Sequence, residues 1–221
     1  MGIASWPCAG GEEFALAFDR GRPLRLLVLP ALFDEASKLR RVTAATLRRL
    51  DEAGIDAFLP DLPGCNESLA PLEAQTLAAW RQAAEAAAEH FAASHVLTIR
   101  GGALCAPPAL PVVRYAPTTG GAVLRALLRG RVLASREAGR DESREALLAQ
   151  GRRQGLELAG YRLGAAMIRE LESAEPSGGP ALANLAQTDL GGAGLWLRAE
   201  PDHDPAQAEA LAARVVQAIA A

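Results

Sequence analysis

Apolar positions along the chain fall into short runs separated by longer amphipathic stretches. Leu24 to Leu29 (LRLLVL) is almost continuously apolar, which fits a strand buried on both faces. Ile55 to Leu59 (IDAFL), His95 to Ile99 (HVLTI) and Val112 to Tyr115 (VVRY) repeat that character and predict further strands. Glu12 to Phe18 predicts a strand ahead of them, and Gly21 and Pro23 mark a turn over Asp19 to Pro23. Between these runs the period changes. Leu39, Val42, Leu47 and Leu50 recur at helical spacing within Glu35 to Ala53, opposed by Arg40, Arg41, Arg48 and Arg49, and Gly54 suits the helix end. Further helices are predicted over Leu72 to Ala93, in a short piece ending at Ala106, through the basic stretch Gly120 to Arg153, over Gly164 to Ala174, and from Pro205 to Ala220. Proline at the first turn suits the last of these. Leu156 to Ala159 reads equally as a strand or a connection, and Ala181 to Ala186 and Gly194 to Arg198 predict two late strands. Strand and helix alternate, so the expected class is α/β: one domain with a mostly parallel sheet and helices on both faces.

Composition narrows the function classes. The chain has 221 residues, half of them hydrophobic, and a formal net charge of -3. That balance excludes disorder and gives no reason to expect nucleic acid. No run approaches the roughly 20 apolar residues of a membrane span. Met1 to Gly11 lacks a basic segment followed by an apolar one, so no signal peptide is expected. Cys8, Cys65 and Cys105 are odd in number and far apart, which suits reduced thiols and a cytoplasmic location. Alanine supplies 48 residues, and 22 arginines stand against a single lysine. A GC-rich genome accounts for much of that bias. Its consequences are still physical: alanine favours helices, and the lone Lys38 excludes a GxxxxGK[ST] phosphate loop. The first buried run is followed by Pro30-Ala31-Leu32-Phe33 instead of GxGxxG, and no CxxC or HxxxH spacing exists, so no nucleotide cofactor or metal is expected.

Three segments carry the candidate chemistry. Pro30 to Phe33 comes after the first buried strand. Asp61-Leu62-Pro63-Gly64-Cys65-Asn66-Glu67-Ser68 comes after the next. Thr98-Ile99-Arg100-Gly101-Gly102 then ends the third, at a strand-to-turn junction. In this order they resemble the α/β hydrolases, whose G-x-S-x-G nucleophile elbow would fall on the third segment. The resemblance implies an oxyanion site at Ala31 and Leu32 together with Gly101 and Gly102. It places Arg100 at the nucleophile position, His203 in the histidine position between a last strand and the last helix, and Asp189 in the acid position. The Asp189-to-His203 spacing is short for that fold. An arginine cannot act as an acyl-transfer nucleophile. More narrowly, LPALFDEASKLRR (Leu29 to Arg41), DLPGCNES (Asp61 to Ser68), TIRGGA (Thr98 to Ala103) and LELAGYRLG (Leu156 to Gly164) are similar to the exosortase A system-associated hydrolases of the second type. Those proteins also carry arginine at the elbow. The resemblance implies a protein of exosortase and exopolysaccharide systems whose hydrolase name reflects fold. It points to a non-catalytic or repurposed ligand-binding accessory protein, the alternative being an ester, thioester or glycolipid hydrolase with an unexpected nucleophile.

Arg100 admits two roles. It forms an anion site with the amides of Gly101 and Gly102, or it pairs with Asp34 or Glu35 and fills a dead site. His90 and His95 are expected at the surface or an element boundary, Cys105 in the core, and Ser68 as a turn or cap residue. Residues 118–165 are expected to form a lid inserted in the domain. Between Gly120 and Arg153, eight arginines, Arg125 and Arg129 among them, face four acids. Such a lid would attract an anionic small molecule or glycolipid, or it is a solvated helix face. Alanine-rich helices and a small lid leave room for a homodimer.

Overall fold

In the computed structural model, which describes residues 2–220, a seven-stranded sheet is covered on both faces by helices. The chain opens with an antiparallel pair, β1 (Gly2–Cys8) and β2 (Gly11–Phe18). It continues through β3 (Arg25–Leu29), α1 (Asp34–Glu52), β4 (Asp56–Pro60), α2 (Leu77–His90), β5 (His95–Ile99) and β6 (Val112–Tyr115). Next comes an excursion of α3 (Gly120–Glu137), α4 (Arg144–Gln154), the hairpin β7 (Leu156–Leu158) and β8 (Tyr161–Leu163), and α5 (Ala165–Ser173). The chain returns to the sheet at β9 (Ala181–Leu185) and ends in α6 (Pro205–Ala220). The spatial order is β1-β2-β4-β3-β5-β6-β9, parallel from β4 to β9 and antiparallel at β1 and β2.

Strand alternation divides the core. Leu26 and Val28 of β3 meet one cluster, with Leu97, Ile99 and the buried faces of α1 and α6. Leu27 and Leu29 point the other way, into a cluster with Phe58, Trp80 and the alanines of α2. The alanine excess thus settles where α2 lies close on the sheet: Ala83, Ala84 and Ala87 are buried. Asp56, at the start of β4, is fully buried and is held from several sides. It accepts the backbone N–H groups of Arg20 and Arg22 at 3.0 and 2.9 Å and the Arg25 guanidinium at 3.1 Å.

Several expected boundaries move, each for a local reason. The helix expected from Leu72 starts at Leu77, because the Thr76 side chain accepts the Ala79 N–H and fixes the helix start there. The single basic stretch is two helices: Gly139 takes φ 71° and Ser143 caps α4. Leu156 to Ala159 proves to be half of a hairpin that runs on to Leu163. Gly194 to Arg198 is not a strand. It contains a 3-10 turn at Leu195–Leu197, with Leu195 buried beneath and Leu197 74% exposed, and β9 is the last strand of the sheet. No helix among the described residues is long and apolar enough to cross a membrane.

Candidate functional site

The carboxyl ends of β3, β5 and β6 open into a cleft of about 720 Å³. This is where an open parallel sheet places its ligand crevice. Leu32, Phe33 and Glu35 form one side, Arg100 the floor and Thr118 a shoulder, while α3, the β7–β8 turn and Trp196 form the remaining walls.

Arg100 sits at a sharp strand-to-turn junction with φ 51°, a left-handed conformation that costs a non-glycine residue free energy. Its guanidinium is held on three sides. Nε and Nη2 donate to the two carboxylate oxygens of Glu35, each at 3.0 Å. Nη1 donates to the Ala116 carbonyl at 3.0 Å. The guanidinium carbon lies 4.3 Å from the centre of the Trp196 ring, within cation–π range. Of the two roles open to Arg100, the carboxylate pairing is the one present, and Glu35 is the partner. Asp34 pairs instead with Lys38 at 2.7 Å.

Close packing joins the elbow to the loop after β3. A Cβ on Gly102 would stand 2.4 Å from the carbonyl oxygens of both Leu29 and Pro30, so only glycine fits there. The Leu32 side chain lies over Gly101, with Cγ 3.1 Å from where a Cβ would be. Leu32 faces the cleft and Ala31 the opposite side of the loop, beside Arg40 and Leu59. The elbow leads into a single six-residue 3-10 turn, Arg100–Cys105, with Gly101 to Cys105 buried. The amide and dipole array of a full α-helix is therefore missing from the anion site expected at Gly101 and Gly102.

Asp189 and His203 lie apart from this constellation. The Asp189 carboxylate accepts the Ala186 N–H at 2.6 Å, closing a turn after β9, and borders a surface depression with Leu182 and Arg214. His203 Nδ1 is buried without a hydrogen-bond partner, and neither residue lines the cleft. The strand expected at Gly194 to Arg198 does not form: that stretch is a turn that brings Trp196 to the cleft wall, and His203 follows it without lining the cleft. Burial pushes the Cys65 and Cys105 thiols up to about 12, which keeps both protonated at neutral pH. Ser68 is a turn residue: its hydroxyl accepts the Gly64 N–H at 2.8 Å and donates to the buried Glu13 at 2.7 Å. His95, at the first residue of β5, has its pKa lowered by burial.

Trp196 is the site residue that sequence reading missed. Its only signal was an aromatic in a short apolar run that reads as a strand. Of the two arginines expected in a lid, Arg129 lines both the cleft and a groove on the outer face of α3, and Arg125 lines that groove only.

No protein-family model matches the chain, and no curated protein does. Solved structures do. Est1E from Butyrivibrio proteoclasticus, with ferulic acid bound, aligns at TM-score 0.57 over 99% of this chain and 100% of that one, at 14% identity. Its structure described without that ligand aligns equally, at TM-score 0.57 over 100% of both chains. The chain has the α/β-hydrolase fold. A putative hydrolase from Agrobacterium vitis S4 also aligns, at TM-score 0.49 and 12% identity, over 99% of this chain and 98% of that one. In this chain the residue directly after β5 is Arg100.

Proposed function

We propose that this α/β-hydrolase-fold protein is a non-catalytic, repurposed ligand-binding protein, an accessory component of exosortase and exopolysaccharide systems that works in the cytoplasm. The observation that carries the non-catalytic reading is the Arg100 guanidinium, locked to Glu35, Ala116 and Trp196 at the elbow. Attack on an ester carbonyl needs a nucleophile there and a base within hydrogen-bond reach. Arginine supplies no nucleophile, His203 does not line the cleft, and the buried thiols are protonated. The cleft itself is open and lined by both apolar and charged side chains, and its size falls within the range of small-molecule sites. The pathway assignment rests on the four segments similar to exosortase-associated proteins of the second type, arginine at the elbow included.

The test is hydrolysis of p-nitrophenyl butyrate by the purified chain and by Arg100→Ser. Neither is expected to exceed a heat-killed control, because a serine at position 100 would still lack an acid–histidine pair. Turnover by the wild-type chain that is lost in His203→Ala or Cys105→Ala would overturn the non-catalytic reading and favour a hydrolase with an unexpected nucleophile.

A further inference from the structure

The fold sorts the arginines of the excursion into two groups. Those near carboxylates are neutralised: Arg131 forms a two-point pair with Glu142 at 2.8 and 3.0 Å, and Arg152 pairs with Glu172. The side chains of Arg125, Arg129 and Arg136 are exposed and make no hydrogen bond or ion pair among the described residues. Arg144, at the start of α4, has only a 3.5 Å contact with its neighbour Glu145.

These four arginines share a second groove of about 450 Å³ with Ala122, Ala126, Val132 and Leu133. No acid lines it, Glu137 and Glu145 included. Helical phase explains the grouping. At roughly 100° per residue, positions 125, 129, 132 and 136 fall within about 60° of one another on α3. Arg125 and Arg129 are about 6 Å apart along the axis, and the row from Arg125 to Arg136 is about 16 Å long. Guanidinium forks at such spacing suit adjacent phosphoryl groups, which accept paired N–H donors.

The groove opens into the central cleft. Ala122, Ala126, Arg129 and Leu133 line both. On the cleft side, Leu127, Phe33, Trp196 and Leu197 make an apolar wall, and the cations Arg100, Lys38 and Arg131 are each paired with an acid. Among the cations of the cleft only Arg129, which it shares with the groove, has no partner, so unpaired positive charge is concentrated in the groove, while the cleft adds the larger aromatic and aliphatic side chains.

We propose that the two cavities form one site for a phosphate-bearing amphiphile. The Arg125–Arg129–Arg136–Arg144 groove takes its phosphate or diphosphate head and the cleft above Arg100 takes its apolar part. This rests on the ligand-binding reading of the cleft and assigns that site's ligand class. The head group binds the excursion, not the elbow, so Arg100 contributes a wall and no anion contact.

The experiment titrates the full chain with dodecyl phosphate below its micelle concentration, following tryptophan emission. Trp6 and Trp80 are fully buried, so Trp196 is the responsive indole. Expected is saturable binding that weakens with added salt and falls roughly tenfold or more in Arg125→Gln/Arg129→Gln. In Arg41→Gln/Arg48→Gln, an equal loss of two charges on the exposed side of α1, affinity stays within about twofold. Inorganic diphosphate and dodecyl maltoside separate the two halves of the ligand. Inorganic diphosphate binding as tightly as dodecyl phosphate would overturn the apolar half of the proposal. Dodecyl maltoside binding as tightly, with no loss in the double variant, would overturn the head-group assignment, as would no binding of dodecyl phosphate. Ester hydrolysis measured on the same preparations keeps the two readings apart. A chain that hydrolyses esters fails the non-catalytic reading, and an inert chain indifferent to the arginine substitutions fails this proposal alone.

Discussion

The two ends of the sheet use the same side chain for opposite purposes. At the amino ends of β3 and β4, Arg20, Arg22 and Arg25 meet Asp19, Asp51 and Asp56 in a closed network. Arg20 grips Asp51 through two bonds of 2.7 and 2.8 Å, Arg25 grips Asp19 at 2.9 and 3.0 Å, and Arg22 bridges Asp51 and Asp56. At the carboxyl ends, Arg100 is likewise satisfied, but the row on α3 beside it is not. Arginine that finds a carboxylate within the chain holds the fold. Arginine that finds none remains available for an outside anion. Composition alone, with 22 arginines, cannot separate the two uses; burial and partners do.

The sharpest way to break this contrast is Asp56→Ala. It removes the buried carboxylate on which the backbone of Arg20 and Arg22 and two guanidinium groups converge, and should cost about 3–5 kcal/mol in urea denaturation. Arg100→Ala should cost less, about 1–3 kcal/mol, since Glu35 keeps some access to water. If Arg100→Ala instead equalled Asp56→Ala, the elbow would belong to the structural end of the comparison.

Acid gives a graded version of the same test. Hydrogen bonding from Arg25 lowers the Asp19 carboxyl to about 2, and Arg20 holds Asp51 lower still. Arg131 and Ser135 lower Glu142, in the excursion, to about 2. Groups held below their unfolded values, near 4, stabilise the fold fully above that range and lose the effect as pH falls towards 2. The urea midpoint should therefore be level above about pH 5 and drop below about pH 4, and Asp51→Asn should flatten that drop. The smallest effect is expected at the open end: Arg125→Ala should leave the urea midpoint unchanged, because it breaks no bond within the chain.

The sequence revealed the parts of this molecule that depend on local pattern. The strands β3, β4 and β5 were legible because they are buried on both faces and read as apolar runs. The turn after β5 was legible because Gly101 and Gly102 come directly after such a run, and the loop of Pro30 to Phe33 because a proline ends another. β1 was not delimited, since Gly2, Ser5 and Pro7 obscure its alternation, and its only deeply buried side chain is Trp6. Gly194 to Arg198 misled because its apolar residues face a loop core and the cleft instead of a sheet neighbour. Glu35 was identified only as one of two partners for Arg100, and Trp196 not at all, because tertiary contacts between distant segments decide both. The α3 row was within reach: Arg125, Arg129 and Arg136 are in helical phase, and only the pairing of Arg131 needed the structure.

The left-handed turn at Arg100 also carries an order in time. Its three supports come from far along the chain: Glu35 is 65 residues earlier, Ala116 16 residues later, and Trp196 lies beyond β9. Chain synthesis runs from the amino end, so this turn must wait for a tryptophan that follows β9 before its last contact forms. Until then a strained backbone and a half-held guanidinium face an open sheet mouth. The floor of the cleft is thus completed only after every strand of the sheet has been made.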